Sequence, residues 1–153
     1  MTVVVVDRLK GLVAADRFMM ADNCSVSNVI KIVRGPGGDL AGAAGDADTC
    51  SLFLKWVVAG SIGSLPKFKP AGFYGIMLTT ARDIMLWQEA LVPDTIEDDF
   101  WAIGAGALAA LGAYHMRANA WQAVDVACKV CPGTCGGGID ILNLDGTGHF
   151  TPL

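Results

Sequence analysis

The stretch Thr2-Val3-Val4-Val5-Val6-Asp7 is followed, after a short turn, by Gly11-Leu12-Val13-Ala14-Ala15-Asp16-Arg17. These apolar runs predict two strands, over residues 2–7 and 12–15, joined by a turn at residues 8–11. Removal of Met1 would make Thr2 the N-terminal residue, which then carries both a hydroxyl nucleophile and a free amine. An α-amine has a reference pKa of about 7.7–8.0, which suits a general base close to neutral pH. We therefore expect covalent chemistry at Thr2 only if Met1 is removed.

The composition predicts one domain with more apolar surface than its own core can bury. The chain has 153 residues, of which 53% are apolar and 17% are charged. Typical soluble domains have about 45–50% apolar and about 25% charged residues. A chain of this length is most simply one domain, spanning residues 1–153. The surplus of apolar side chains favours a homo-oligomer or a larger protein assembly.

Charge and hydropathy argue against two classes of partner. The net charge of −4 and the pI near 4.9 argue against a nucleic-acid-binding surface. No stretch reaches the ~18 uninterrupted apolar residues that a membrane-spanning helix needs. The N-terminus lacks the positively charged segment and the cleavage site of a secretory signal. We therefore expect a cytoplasmic protein that binds neither nucleic acid nor membrane.

The five cysteines fit a reducing compartment better than a disulfide framework, because their number is odd. Cys128, Cys131 and Cys135 are spaced closely enough to raise the hypothesis of a zinc site. The fourth ligand would then come from one of the residues His115, His149, Cys24 and Cys50. However, the second half of a paired Cys-x2-Cys signature is missing, and Cys128 lies in a predicted helix, where a buried cysteine acts as a small hydrophobic residue. We therefore predict no metal and no cofactor.

The rest of the chain alternates between groups of strands and groups of helices. Helices are predicted for about a dozen residues after the segment 45–48, for residues 107–117 and, with Asn119 as the N-cap, for residues 120–130. Further strands are predicted at residues 29–33, 39–44, 73–80, 83–88, 100–103 and 139–144. The segment Gly35-Pro36-Gly37-Gly38 lacks the Gly-Lys-Ser/Thr ending of a phosphate loop and predicts a hairpin turn. This order of elements predicts an α+β fold with mainly antiparallel sheets.

Two charged residues complete a candidate site around Thr2. Thr2 would attack a carbonyl carbon while its own amine accepts the hydroxyl proton. Lys31 would stay charged nearby, where it stabilises the deprotonated nucleophile and lowers the proton affinity of the amine. Asp16 would pair with Lys31 and fix its position. Taken in isolation, Asp16 and Lys31 also fit a strand-end aspartate and an exposed strand lysine.

The chain resembles the proteasome β-subunit and its bacterial relative, the HslV peptidase. The resemblance is carried, in the order of that family, by residues 2–7, 11–17, 28–33, 41–47, 102–106 and 136–144. The chain is most similar to the short, diverged versions encoded by some tailed phages. The resemblance implies an N-terminal-nucleophile hydrolase fold, which is a four-layer αββα sandwich with two mainly antiparallel sheets. It also implies subunits assembled in rings and hydrolysis of peptide bonds.

The resemblance assigns roles to individual residues. Thr2 matches the nucleophile, and Asp16 and Lys31 match the charged pair that supports it. Gly42 matches the glycine whose backbone N–H helps to form the oxyanion hole. Ala105, in contrast, stands where the family has a serine, and the turn at residues 131–136 lacks the family's aspartate.

These departures leave two hypotheses. One is an N-terminal-threonine peptidase subunit that acts on peptides in the cytoplasm of a bacterial host, with an unfoldase as a partner. The alternative is a catalytically silent structural or interaction protein of the same fold, such as a tailed-phage virion component that contacts other virion proteins. Retention of Met1 would rule out the first hypothesis, because a blocked amine cannot act as the base.

Overall fold

The computed structural model describes residues 2–21, 24–61, 63–65, 72–88 and 92–150. In chain order, the strands and helices of these residues are β1 (Val4–Asp7), β2 (Leu12–Asp16), β3 (Phe18–Ala21), β4 (Cys24–Asn28), β5 (Ile32–Arg34), β6 (Leu40–Gly45), α1 (Ala47–Val58), β7 (Phe73–Leu78), β8 (Ile84–Trp87), β9 (Asp94–Ile96), β10 (Phe100–Ile103), α2 (Ala107–His115), α3 (Ala120–Val130), β11 (Ile139–Asn143) and β12 (Gly148–Phe150).

Ten of these strands form two antiparallel sheets of five strands each. The first sheet has the order β10-β1-β2-β11-β12, and the second has the order β5-β6-β7-β8-β9. The other two strands, β3 and β4, pair only with each other in a separate hairpin that follows β2. The candidate residues Asp16 and Lys31 lie at the two ends of this hairpin segment, where the chain passes from the first sheet to the second.

The four consecutive valines of the opening stretch lie where both faces of a strand are buried. Val4 and Val6 pack in the cluster between the two sheets, together with Ile76. Val3 and Val5 point the opposite way, because side chains alternate along a strand, and they pack under α2 and α3. All four valines are 0% exposed. An uninterrupted apolar run is therefore what this strand position requires.

A third apolar cluster lies on the outer face of the second sheet. Phe53 and Val57 of α1 are buried there against the sheet, together with Trp87. The layers are thus α1, the second sheet, the first sheet, and the pair α2 and α3. This arrangement confirms the predicted α+β fold, a four-layer αββα sandwich with two mainly antiparallel sheets.

Helix α3 has the predicted bounds, because its first turn is closed by its own side chains. The Asn119 side chain accepts from the Gln122 amide at 2.9 Å, and the Gln122 side chain accepts from the Asn119 amide at 3.0 Å. Helix α2 ends at His115, two residues earlier than predicted, and Arg117 has a φ of 69° that does not continue a helix.

Other predicted boundaries were wrong. The predicted strand at residues 29–33 begins only at Ile32, because the Val29 amide instead donates to the Arg17 carbonyl at the base of the β3–β4 hairpin. The hairpin itself and the short edge strands β9 and β12 were not predicted. Part of the predicted loop at residues 61–70 lies outside the described residues. Among the described residues, no helix is long and apolar enough to cross a membrane.

Candidate active site

The Asp16 carboxylate is the centre of the candidate site. It lies at the end of β2, is 1% exposed, and accepts four hydrogen bonds. Its Oδ1 accepts from the Val3 amide at 2.8 Å and from Lys31 Nζ at 2.9 Å. Its Oδ2 accepts from the Gly136 amide at 3.0 Å and from the Phe18 amide at 3.2 Å. Asp16 therefore connects the residue before β1, the first residue of β3, the residue before β5 and the turn before β11 at one buried point.

Lys31 is held between Asp16 and the first residue of β3. Its Nζ donates to Asp16 Oδ1 and also, at 2.6 Å, to the Phe18 carbonyl oxygen. The side chain is 6% exposed, and this burial lowers the pKa of Lys31 below its ordinary value. The Asp16 carboxylate opposes that shift, because it stabilises the charged ammonium group. The structure thus brings together the pair that the sequence predicted.

The backbone of Thr2 is held in place next to the ion pair of Asp16 and Lys31. The residue is 5% exposed, its carbonyl accepts from the Gly106 amide at 3.2 Å, and its neighbour Val3 donates to Asp16. Gly104 approaches the Thr2 carbonyl so closely that a Cβ at that position, where φ is +93°, would overlap it. Ala105, which replaces the family serine, lies between these two glycines and is exposed. Residues 104–106 therefore hold the Thr2 backbone, because Gly104 allows a close approach to the Thr2 carbonyl and the Gly106 amide donates to it.

Gly42 lies in the middle of β6, opposite Ile32 in β5 and Ile76 in β7. A Cβ at Gly42 would lie 2.5 Å from Val4 Cγ1 and 3.1 Å from Ile32 Cγ2, so close packing between the sheets requires glycine here. The neighbouring Ala43 amide donates to the Lys31 carbonyl at 3.1 Å. Because amides alternate along a strand, the Gly42 amide points away from Lys31 toward β7. Its role in an oxyanion hole stays a prediction.

A cleft of about 790 Å³ opens beside Thr2 and Lys31, which both line it. One side is formed by the β3–β4 hairpin region and the other by α1. Apart from Lys31 and Lys55, the lining is mainly apolar, and none of the described lining residues is acidic. The larger apolar residues of the lining are Phe18, Met19, Met20, Val29, Ile30, Val33, Leu54 and Val58. The size of the cleft and its apolar lining therefore suit an apolar group.

The cysteines at the end of α3 and in the following turn pack among apolar groups, with Cys135 buried and Cys128 and Cys131 partly buried. Cys135 is 2% exposed and packs with Val3 in the cluster under α2 and α3. Burial raises the pKa of the Cys135 thiol, and it raises the pKa of the Cys128 thiol to about 12. Within the described part of the chain, no group of three or more His, Cys, Asp or Glu side chains is placed to hold a metal ion. Neutral thiols at these positions fit hydrophobic packing.

The sequence analysis missed the residues that contribute only backbone groups. The Gly136 amide and the Phe18 carbonyl bind Asp16 and Lys31 directly, yet neither side chain has a chemical signature for this role. The methionines of β3 were also missed as cleft residues, because the hairpin that carries them was not predicted. The run of glycines at residues 136–138 was the one available signal, because all three adopt a positive φ.

The comparisons with known proteins agree with this geometry at the level of the fold. No protein-family model and no curated protein matches the chain. Among solved structures, the chain is similar to eukaryotic HslV from Trypanosoma brucei, with a TM-score of 0.66 and 18% identity. The match covers 93% of this chain and 99% of that one. The chain therefore has an HslV-like N-terminal-nucleophile hydrolase fold.

Proposed function

We propose that this chain, acting as one domain, is a proteasome-like or HslV-like threonine peptidase subunit. Its nucleophile is Thr2, which becomes N-terminal when Met1 is removed. The observation that carries the proposal is the position of Thr2 and Lys31 on the wall of one large cleft, with Asp16 bonded both to Lys31 and to the backbone next to Thr2. A solitary structural ion pair would not require that cleft.

The proposed reaction uses the groups of Thr2 itself for the proton transfers. The Thr2 hydroxyl oxygen attacks the carbonyl carbon of a peptide bond, and its proton passes to the Thr2 amine. The charged Lys31 stabilises the oxygen nucleophile, and Asp16 keeps Lys31 in place. The protonated amine then gives its proton to the leaving amine, so that an ester on Thr2 remains. A water molecule hydrolyses this ester and restores the hydroxyl group.

The proposed substrate is a peptide with a large apolar residue next to the cleaved bond. Such a side chain would fill the apolar cleft, whose described lining offers it no acidic partner. A backbone amide of β6 would stabilise the developing oxyanion. The Gly42 amide faces β7, so it would have to give up its hydrogen bond to that strand in order to bind the substrate oxygen. The Gly45 amide lies two residues after that of Ala43 and therefore faces the other side of the strand, the side of β5 and Lys31.

The assembly and location that we propose follow from the resemblance and from the surface. Large apolar side chains are exposed on α2 and near its end, among them Leu108 and Met116. Burial of this surface between copies of the chain would give the homo-oligomeric, ring-like assembly that the resemblance implies. We place this assembly in the cytoplasm, where unfolded proteins would be its substrates.

The test combines intact-protein mass with peptide hydrolysis. We expect a species that lacks Met1, and we expect it to cleave a fluorogenic peptide with leucine or phenylalanine before the reporter group. Thr2→Ala should reduce this cleavage to the uncatalysed background and abolish labelling by an electrophile that reacts with N-terminal threonine. Thr80→Ala is the matched control, because Thr80 is exposed and lies outside the cleft.

Two results would overturn the proposal. Full retention of Met1 in the assembled protein would block the amine, and unchanged labelling of Thr2→Ala would reject Thr2 as the nucleophile. Full retention of Met1 would leave the catalytically silent subunit as the function. A fixed copy number within a larger particle would then be the property to measure.

A further inference from the structure

A buried amide oxygen lies beside the site without a hydrogen bond. Asn28 is the last residue of β4 and lies opposite Phe18 in the hairpin. Its Oδ1 is buried and has no hydrogen-bond partner among the described residues. Most buried side-chain oxygens have such a partner, so this one calls for an explanation. The atom instead lies against the backbone of Gly137 in the turn before β11.

The contact between Asn28 and Gly137 requires glycine. A Cβ at Gly137 would overlap Asn28 Oδ1, and it would lie 3.1 Å from Asn28 Cγ and 3.2 Å from the Phe18 amide nitrogen. The φ of Gly137 is +76°, which L side chains rarely adopt. Both the space and the backbone conformation at this position are therefore specific to glycine.

The residue before Gly137 is the one that binds the candidate site. The Gly136 amide donates to Asp16 Oδ2 at 3.0 Å. Its carbonyl accepts from the amides of Arg17 and Phe18, both at 2.9 Å. The turn at Gly136 is thus bonded in both directions to the segment that contains Asp16. A displacement of Gly137 would move the Gly136 amide away from the carboxylate.

We propose that Asn28 and Gly137 are positioning residues, whose contact sets the place of the Gly136 amide and, through it, the orientation of Asp16 and Lys31. Neither residue touches the substrate in this proposal. The catalytic consequence rests on the proposed function, whereas the positioning itself does not. Asn28 lies three residues before Lys31, so the same contact also anchors the chain that leads to the lysine.

Loss of this contact has an electrostatic consequence at Lys31. The titratable groups that act on Lys31 are Asp16 from β2 and the thiols of Cys128 in α3 and Cys135 in the following turn, to which removal of Met1 would add the Thr2 amine at the wall of the same cleft. Of these, Asp16 is the group that stabilises the charged lysine most, since it forms the ion pair. A carboxylate that is turned away would stabilise the ammonium group less. The lysine would then lose its proton at a lower pH.

The first experiment compares Gly137→Ala with Gly133→Ala. Both glycines lie between α3 and β11, but a Cβ at Gly133 would meet nothing within 4 Å. In Gly137→Ala we expect kcat for the fluorogenic peptide to fall roughly 10- to 100-fold with little change in KM. We also expect the alkaline limb of the pH profile of kcat to move to lower pH. Gly133→Ala should keep the wild-type kcat and profile.

The second experiment removes the contact from its other side. Asn28→Ala takes away the amide group that lies against Gly137 and leaves the glycine at position 137 in place. We therefore expect kcat to fall and the alkaline limb to move to lower pH, as in Gly137→Ala. An Asn28→Ala variant with the wild-type kcat and profile would show that backbone strain alone causes the loss in Gly137→Ala, and would overturn the proposal.

A third readout does not depend on activity. The amide proton of Val3 donates to Asp16 at 2.8 Å, so its NMR chemical shift reports the position of that carboxylate. In a Thr2→Ala background we expect the Val3 signal to move upfield both in Gly137→Ala and in Asn28→Ala. If no variant cleaves peptides but the signal follows this pattern, the proposed function fails and the positioning stands. An unmoved Val3 signal in Gly137→Ala would overturn the positioning.

Discussion

Asp16 and Lys31 form an ion pair, and the two partners differ in the other hydrogen bonds that they make. Asp16 accepts from three backbone amides besides Lys31, whereas Lys31 donates to Asp16 and to the Phe18 carbonyl. Removal of one partner from a buried pair costs about 3–5 kcal/mol, because the other charge is left uncompensated. In this site a lone Asp16 would keep its amide donors, whereas a lone Lys31 would lose the carboxylate with which it forms its ion pair.

We therefore expect Asp16→Asn to lower the free energy of unfolding more than Lys31→Met does. An asparagine side chain would also turn a donor group toward the Gly136 and Phe18 amides, which are donors themselves. Urea unfolding near neutral pH measures both values. A larger loss in Lys31→Met would contradict this account, since it would mean that the amides do not compensate the Asp16 charge.

Cys128 gives a prediction for alkaline pH. Burial is the main cause that raises its pKa from 9.0 to about 12. Because the folded pKa is the higher one, the thiol stabilises the fold below pH 9, and this contribution is lost as the pH rises from about 9 to about 12. The difference in unfolding free energy between the wild type and Cys128→Ala should therefore be smaller at high pH than at neutral pH.

The check is urea unfolding at pH 8 and at pH 10.5, in the presence of a reductant. Cys131→Ala is the control for a neighbouring thiol, since Cys131 directly follows α3. A difference between the wild type and Cys128→Ala that stays constant with pH would show that this thiol titrates alike in the folded and unfolded chains.

At the level of residues, the sequence was informative where side chains carry the chemistry. Thr2, Asp16 and Lys31 were predicted to lie together, and the structure places them together. Gly136 was not predicted as a ligand of Asp16, since its contribution is a backbone amide that any residue has. The catalytic roles of these residues remain predictions.

At the level of secondary-structure elements, the accuracy of prediction followed the strength of local signals. The bounds of α3 could be predicted because Asn119 and Gln122 close its first turn within four residues. The hairpin β3–β4 could not, since its first strand reads Phe-Met-Met-Ala and lacks the alternation of apolar and polar residues that indicates a half-buried strand. Strand β9 is three residues long and is defined by its pairing with β8, which is a contact that the local sequence does not encode.

Two glycines that the sequence does not distinguish should respond oppositely to the same substitution. In β6, Gly42→Ala would place a methyl group 2.5 Å from Val4 Cγ1, so we expect overpacking to cost about 1–3 kcal/mol of unfolding free energy. In α2, Gly112→Ala would meet nothing within 4 Å and would remove a poor helix former, so we expect a gain of about 0.5–1 kcal/mol. Thermal or urea unfolding of the two variants measures both signs. A neutral Gly42→Ala would show that the two sheets can move apart at this position.

At the level of the whole molecule, the order of the layers explains why the opening stretch is decisive. Strand β1 lies between β10 and β2 in the first sheet, with the second sheet on one face and α2 and α3 on the other. Thr2 is thereby placed at the end of the most enclosed strand, next to the cleft. The fold thus fixes the position of Thr2 regardless of whether the residue is catalytic.

The outer face of α2 gives the prediction for assembly. Leu108 and Met116 are 85% and 84% exposed, and Gly112 lies between them at the same helical spacing. If this face is covered by another copy of the chain, Leu108→Glu would bury an unpaired charge there, and the assembly should dissociate into smaller species. Val92→Glu is the control, because Val92 is also highly exposed, at 76%, and precedes β9 on the edge of the other sheet. Light scattering coupled to size exclusion measures both masses, and a Leu108→Glu variant with the wild-type mass would show that α2 faces solvent in the assembled protein.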